Sequence, residues 1–251
     1  MLKKILLSYF ILNPLWAFTV LVDPGHGGSD HGAKARYYFA KKKWKVINEK
    51  DIALNLAKRI HYHLKKNNFN AYLTRSVDRT LSLQDRADMA EKIKADFFIS
   101  VHINSSEVHE PRGFETYYLD NHKDGVVRKI EEAENRDLHG EDLIINNILM
   151  DLIIERTTKS SKSLAQGIHG EIQKFVGRKY QLKDRGIKPG LFYVLALTKR
   201  PGILLEVGFL SNSRELKKML SPKFQDQYAR AVALGLKKYT SSQLKHVPSL
   251  L

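Results

Sequence analysis

Short apolar runs alternate along the chain with stretches in which apolar side chains recur every third or fourth position. Phe18-Thr-Val-Leu-Val22 stops at Asp23-Pro24-Gly25 and predicts a buried strand ending in a turn. A helix is expected from about Glu49, with Asn48 as N-cap, Asp51 placed as in a capping box, and Ile52, Leu56, Ile60 and Leu64 as its stripe. Phe69 to Thr74 reads as the next strand, and Ser82 with Asp85 opens a helix carrying Leu83, Ala87, Ala90 and Ile93. Asp96-Phe-Phe-Ile-Ser-Val-His102 is continuously apolar with polar ends, as in a central strand covered on both faces. Phe114 to Leu119 predicts a further strand.

From 120 to 162 the pattern changes to charged, helix-like sequence with Glu131, Glu132 and Glu134, followed by an apolar segment from Leu143 to Ile154. This stretch reads as an insertion. The alternation resumes with a helix from Ser163 to Phe175, a loop rich in glycine and basic residues around Arg185 to Gly190, strands at Phe192–Leu197 and Ile203–Glu206, and a helix from Phe224 to Tyr239. The expected fold is one α/β domain, a twisted mixed or parallel sheet with helices on both faces. A length of 251 residues suits a single such domain, placed at 18–251.

The first seventeen residues stand apart. Lys3 and Lys4 precede an apolar stretch through Leu15 and Trp16 that closes at Ala17, the layout of a secretory signal peptide over 1–17, with Leu15 larger than the usual residue at that position. The run is shorter than the ~20 residues a spanning helix needs, so no transmembrane segment is expected in the mature chain. The formal net charge of +15 falls to +13 without this segment, since it holds two basic and no acidic residues. Such a surplus attracts polyanions. With an export signal it points to an anionic wall or membrane surface rather than to nucleic acid. There is no cysteine, so any metal is held by His, Asp or Glu, and a disulfide scaffold is excluded.

Candidate chemistry gathers where an α/β enzyme keeps it, beyond the carboxyl ends of strands. His26 follows the first strand in Asp-Pro-Gly-His-Gly-Gly, Glu49 begins a helix, and His102 ends the central apolar strand. Two His and one Glu leave the fourth position of a tetrahedral zinc ion open for water, as a catalytic site requires. Glu206 closes the apolar run from Gly202 and is suited to move protons between water and a leaving amine. Each residue alone has an ordinary explanation, Glu49 as a helix-start acid among them. The remaining histidines, including His31, His61, His63, His122 and His169, are assigned to surface or unspecialised roles.

At these residues the chain resembles the Amidase_3 family of zinc-dependent N-acetylmuramoyl-L-alanine amidases. The resemblance rests on Val22-Asp-Pro-Gly-His-Gly-Gly28, Glu49-Lys-Asp51, Leu73-Thr-Arg75 with Asp78, Leu83 to Arg86, Ile99-Ser-Val-His-Ile-Asn104, Gly113 to Tyr118, and Leu205-Glu-Val-Gly-Phe-Leu-Ser-Asn212. It implies His26, Glu49 and His102 as zinc ligands, Glu206 as the catalytic carboxylate, and as substrate the amide joining muramic acid to L-alanine in peptidoglycan. The segment 120–162 is similar to the regulatory insertion of division amidases, in which a helix covers the site until an activator, of coiled-coil or LytM-like type, draws it away. Glu134 looks like the insertion residue that occupies the open zinc position. The resemblance further implies a monomer acting in the periplasm in wall remodelling and cell separation. Three readings stay open beside it: a zinc carboxypeptidase-like peptidase, a catalytically silent basic wall-binding protein, and, on charge alone, a nucleic-acid binder.

Overall fold

The strand that the first apolar run predicts, β1 (Thr19–Pro24), lies deep in a six-stranded sheet, and all but its first residue are buried. The computed structural model describes residues 17–41, 43–108, 110–135 and 147–245. Residues 1–16, nearly all of the expected signal segment, lie outside it, as do His109, His139 and His246. After β1 come a hairpin of β2 (Lys34–Ala40) and β3 (Lys43–Asn48), helix α1 (Glu49–Lys66), β4 (Asn70–Leu73), α2 (Leu83–Lys92), β5 (Phe97–Asn104) and β6 (Phe114–Leu119). Then follow α3 (Gly125–Glu134), α4 (Asn147–Ile172), which runs through a π turn at Gln173–Gly177 into α5 (Arg178–Tyr180), and β7 (Asp184–Gly190). The last elements are α6 (Tyr193–Thr198), β8 (Gly202–Phe209), α7 (Ser213–Met219) and α8 (Pro222–Lys245).

The sheet order is β4-β1-β5-β8-β6-β7, parallel except where β6 runs against β8. The expected mixed α/β sheet is therefore present. Its two faces are covered differently. Val20, Val22, Ile99, Val101, Ile203 and Leu205 pack with α1, α4 and α8, and alternate residues such as Leu21, Phe98 and Leu204 pack with α2, α3 and α6. β5 and β8 are buried along their whole length, which is why they read as unbroken apolar runs. The helix expected to open at Ser82 carries a full capping box, with Ser82 and Asp85 each accepting from the other's backbone N–H, whereas the capping box expected at Asn48 does not form: its side chain caps no backbone amide and instead donates to Asp51 at 3.2 Å.

Three expectations need correction. Phe192–Leu197 is not a strand but the buried one-and-a-half turns of α6, because a short apolar run fits a helix enclosed on all sides as well as a strand. The neighbouring strand is β7, expected as a loop; among the described residues it is an edge strand paired only with β6, a place where Pro189 and two glycines are tolerated. The helix expected from Ser163 begins at Asn147, so residues 147–162, assigned to the insertion, are the first turns of α4, and Ile153 and Ile154 sit in the core. The hairpin β2–β3 was not foreseen. Among the described residues, no helix is long and apolar enough to cross a membrane.

Candidate metal centre

His26, Glu49 and His102 converge at the carboxyl edge of the sheet. His102 is near the end of β5, Glu49 is the first residue of α1, and His26 lies two residues beyond β1. His26 adopts a left-handed backbone (φ 58°), followed by Gly27 (φ 136°) and Gly28 (φ 59°). A bulky residue is disfavoured there, so surrounding bonds must hold it. Buried Arg75 donates to the carbonyls of Pro24 and Gly25 at 3.1 and 2.7 Å, and Arg86 donates to those of Pro24 and His26. A side chain at Gly25 would overlap the His102 ring, with a Cβ only 2.3 Å from Cε1. Glycine at that position is thus a requirement of the imidazole's seat.

Asp23, buried at the end of β1, anchors this framework. It accepts from Arg86 at 2.5 Å, Thr74 at 2.6 Å and Ser100 at 2.9 Å. Burial works against its charge, but the Arg86 guanidinium and the Thr74 hydroxyl outweigh it and hold the carboxyl below its ordinary value.

The inward-facing atoms of the centre carry the chemical signal. His26 Nε2 lies 3.2 Å from Glu49 Oε2, and His102 Nδ1 lies 3.3 Å from Glu49 Oε1. A fourth side chain, Glu134 from the last turn of α3, places Oε2 2.7 Å from His102 Nδ1 and 3.4 Å from His26 Nε2. One ligand atom from each of the four residues falls within 4.8 Å of every other. His26 Nε2, His102 Nδ1 and Glu134 Oε2 are buried without a well-formed hydrogen bond. Buried polar atoms are rarely left so. A ring of imidazole nitrogens and carboxylate oxygens all aimed at one point fits a divalent cation, and the donor set is that of zinc.

The outer contacts orient these donors. Asp30 accepts from His26 Nδ1 at 2.6 Å, which leaves the Nε2 lone pair facing the centre. Both Glu49 oxygens are fixed by backbone amides, Oε2 by Ala33 at 2.9 Å and Oε1 by Ile103 at 2.8 Å. Without a cation, the four side chains compensate one another. Burial would lower the His102 pKa, yet the charge and hydrogen bond of Glu134, with Glu49, push it up to about 9. His26 is likewise raised, against burial, by Glu49 and Asp30, and Glu49 is depressed, against burial, by the two histidines.

Glu206 is brought alongside. It is the register partner of His102 on β5 and of Glu115 on β6, so all three side chains leave the same face of the sheet. It is almost wholly buried, and neither carboxylate oxygen has a hydrogen-bond partner among the described residues. Burial, then the negative charges of Glu134, Glu49 and Glu115, raises its pKa well above 4.5. Glu115 behaves oppositely: Tyr117, Arg185 and Lys188 all donate to it and keep it ionised against its burial.

All five candidate residues are thus gathered at one site. Glu134 lines, with His26 and His102, a cavity of about 20 Å³. The helix that carries Glu134 is fastened to the β7–α6 connection. Glu131 accepts from Leu191 N at 2.5 Å and from His122 Nε2 at 2.6 Å, while Asn135 donates to the Leu191 carbonyl and accepts from Tyr193 N. Asp30, Asp23, Arg86 and Glu131 were not singled out as functional in the sequence. An acid at the end of an apolar strand, as Asp23 is, was the available signal. His122 and His169, assigned to unspecialised surface or core roles, have buried rings paired to Glu131 and Asp184.

A family model described as N-acetylmuramoyl-L-alanine amidase, Amidase_3, matches residues 20–238. The chain is 31% identical over 229 residues to the N-acetylmuramoyl-L-alanine amidase AmiA of Escherichia coli, covering 88% of this chain and 75% of that protein. It is 29% identical over 227 residues to the amidase LytC of Bacillus subtilis, where it spans 90% of this chain but only 36% of the relative's length. Among solved structures, the N-acetylmuramoyl-L-alanine amidase of Clostridium difficile 630 superposes with a TM-score of 0.66 at 30% identity, covering 90% of this chain and 98% of that one.

Proposed function

The chain belongs to the Amidase_3 family of N-acetylmuramoyl-L-alanine amidases, and from that premise we propose that it hydrolyses the amide between N-acetylmuramic acid and the L-alanine of the peptidoglycan stem peptide. The observation that carries the reading is the convergence of orphaned His26, His102 and Glu134 atoms on Glu49, with an equally unpartnered Glu206 beside them. A purely wall-binding or nucleic-acid-binding protein has no use for such a set.

In this proposal His26, Glu49 and His102 hold zinc. When bound, the ion supplies Lewis acidity toward an amide carbonyl and makes water acidic near neutral pH. Asp30 keeps His26 in the tautomer whose Nε2 faces inward, and the amides of Ala33 and Ile103 stop the Glu49 carboxylate from rotating. Glu206 takes a proton from water and returns it to the departing alanine nitrogen. Burial and the neighbouring carboxylates raise its pKa, which makes it a stronger proton acceptor than an exposed carboxylate. The walls that exclude bulk water are the buried strand ends of β5 and β8.

Glu134 acts as a built-in plug, holding the site shut while α3 stays fastened through Glu131 and Asn135. An activator that competes for α3 opens it. Export by residues 1–17 to the periplasm, and work in wall remodelling and daughter-cell separation, complete the proposal; the basic surplus supports it by favouring an anionic envelope. The chief alternative is a carboxypeptidase-like peptidase. Incubation with muramoyl-stem peptide and with the same peptide lacking muramic acid separates them. Cleavage of the first alone, with release of a free L-alanine terminus, is expected; cleavage within the second peptide would replace the amidase by the peptidase.

A further inference from the structure

Beside the Glu49 wall of the centre runs a groove of about 1110 Å³ that none of the chemistry above uses. One wall is the unforeseen hairpin. Lys34, Arg36 and Tyr38 alternate along β2 and so share a face, and all three line the groove. Across the hairpin Arg36 pairs with Val46 and Tyr38 with Trp44, and the Arg36 guanidinium rests over the Trp44 ring, 5.0 Å from its centroid. That contact holds a cation in place on an exposed surface. Arg112 and Arg214 stand on the groove's other side, both exposed.

The charge balance is one-sided. Of the two acids that line the groove, Glu215 is buried and already accepts from the backbone amides of Gly113 and Phe209 at 2.8 and 2.9 Å. Glu110 alone remains against the four exposed cations. The groove is also joined to the reaction centre by covalent neighbours. Ala33, whose N–H grips Glu49 Oε2, is followed by Lys34 in the wall; Ile103, whose N–H grips Glu49 Oε1, leads in two residues to Ser105, another of its lining residues.

We infer that this groove is the subsite for the peptide arm of the substrate and that Arg36, with Lys34, Arg112 and Arg214, selects stem peptides by their free carboxylates. The inference rests on the amidase reading. The two arms that flank the scissile amide differ in charge. N-acetylated sugars are neutral once the lactyl carboxyl is tied up in the amide, whereas the peptide carries ionised carboxyl groups. Guanidinium forks match carboxylates in two parallel hydrogen bonds, so the cationic groove takes the peptide and leaves the glycan to the opposite side of the centre. Carboxamide forms of the same peptide lose the charge while keeping the shape.

Calorimetric titration of the full-length chain tests this without needing turnover. The probes are the free stem tetrapeptide, its carboxamide form and a glycerol phosphate oligomer. The carboxylate peptide is expected to bind about tenfold or more tightly than the carboxamide. The double variant Arg36→Gln, Arg214→Gln, with an unchanged circular dichroism spectrum, is expected to bind the two alike. Equal affinity of the parent for both peptides, a preference that survives the double variant, or tighter binding of the phosphate oligomer than of either peptide would each overturn the assignment. A chain that discriminates between the peptides as expected, yet cleaves no muramoyl amide even as the Glu134→Ala variant with zinc supplied, would retain the groove and refute the amidase reading.

Discussion

Replacing Glu134 by alanine isolates the plug from the rest of the site. In the parent, Glu134 Oε2 lies 2.7 Å from His102 Nδ1, and Glu134 lines, with His26 and His102, a cavity of about 20 Å³. The contact is one of opposite charges rather than a well-formed hydrogen bond, and an interaction that biases a site between two states is worth about 1.5–3 kcal/mol. If that contact sets the closed state, its loss raises the open fraction, and with it kcat/KM, about 10- to 150-fold. The helix should stay, because Glu131 and Asn135 still fasten it to Leu191 and Tyr193. A point variant is cleaner than excising the segment to residue 155, which would also remove Ile153 and Ile154 from the core. The assay is the initial rate of dye release from labelled peptidoglycan with zinc saturating, so that a changed metal affinity does not enter. A rate within twofold of the parent, at equal zinc occupancy, would refute the argument that Glu134 holds the site shut.

Other expectations follow from the same geometry. Glu206→Gln should keep zinc, measured by atomic absorption, while kcat falls about 10²- to 10⁴-fold; parental turnover would remove Glu206 from proton transfer. Asp30→Ala frees the His26 ring and should weaken zinc binding about 10- to 100-fold in a competition titration with a chelator, and an unchanged affinity would count against that orienting role. Asp23→Asn leaves Arg86 buried without its counter-charge and should cost about 3–5 kcal/mol in a urea unfolding experiment. Because the Asp23 pKa is depressed on folding, its stabilisation is full above its ordinary value of 3.8 and is lost as the pH falls below it. The asparagine variant should therefore lose less stability than the parent between pH 4 and pH 2, and parallel acid profiles would contradict this.

The site was more legible than its supports. His26, His102 and Glu206 follow or close apolar runs in the sequence and Glu49 opens an amphipathic helix, so the expected element ends pointed to one edge of a sheet, although β8 continues past Glu206 to Phe209. Glu134 was reachable only through family likeness, since nothing in Glu-Ala-Glu-Asn distinguishes a plug from a solvated helix end. β7 and α6 were interchanged for a physical reason: edge strands need no apolar run, and a buried short helix has no polar face to betray its period. The hairpin β2–β3 escaped because one face carries Lys34 and Arg36 amid aromatic residues that remain exposed, Tyr38 at 61% and Trp44 at 48%.

The central claim is that a metal held by His26, Glu49 and His102 cleaves the muramoyl–alanine amide. Digestion of purified peptidoglycan with and without a chelator, with mass spectrometry of the soluble products, tests it most directly. The expected result is release of intact stem peptides beginning at L-alanine, abolished by the chelator and restored by zinc. Products cut inside the peptide, or release of the same peptides at full rate with the metal removed, would contradict it.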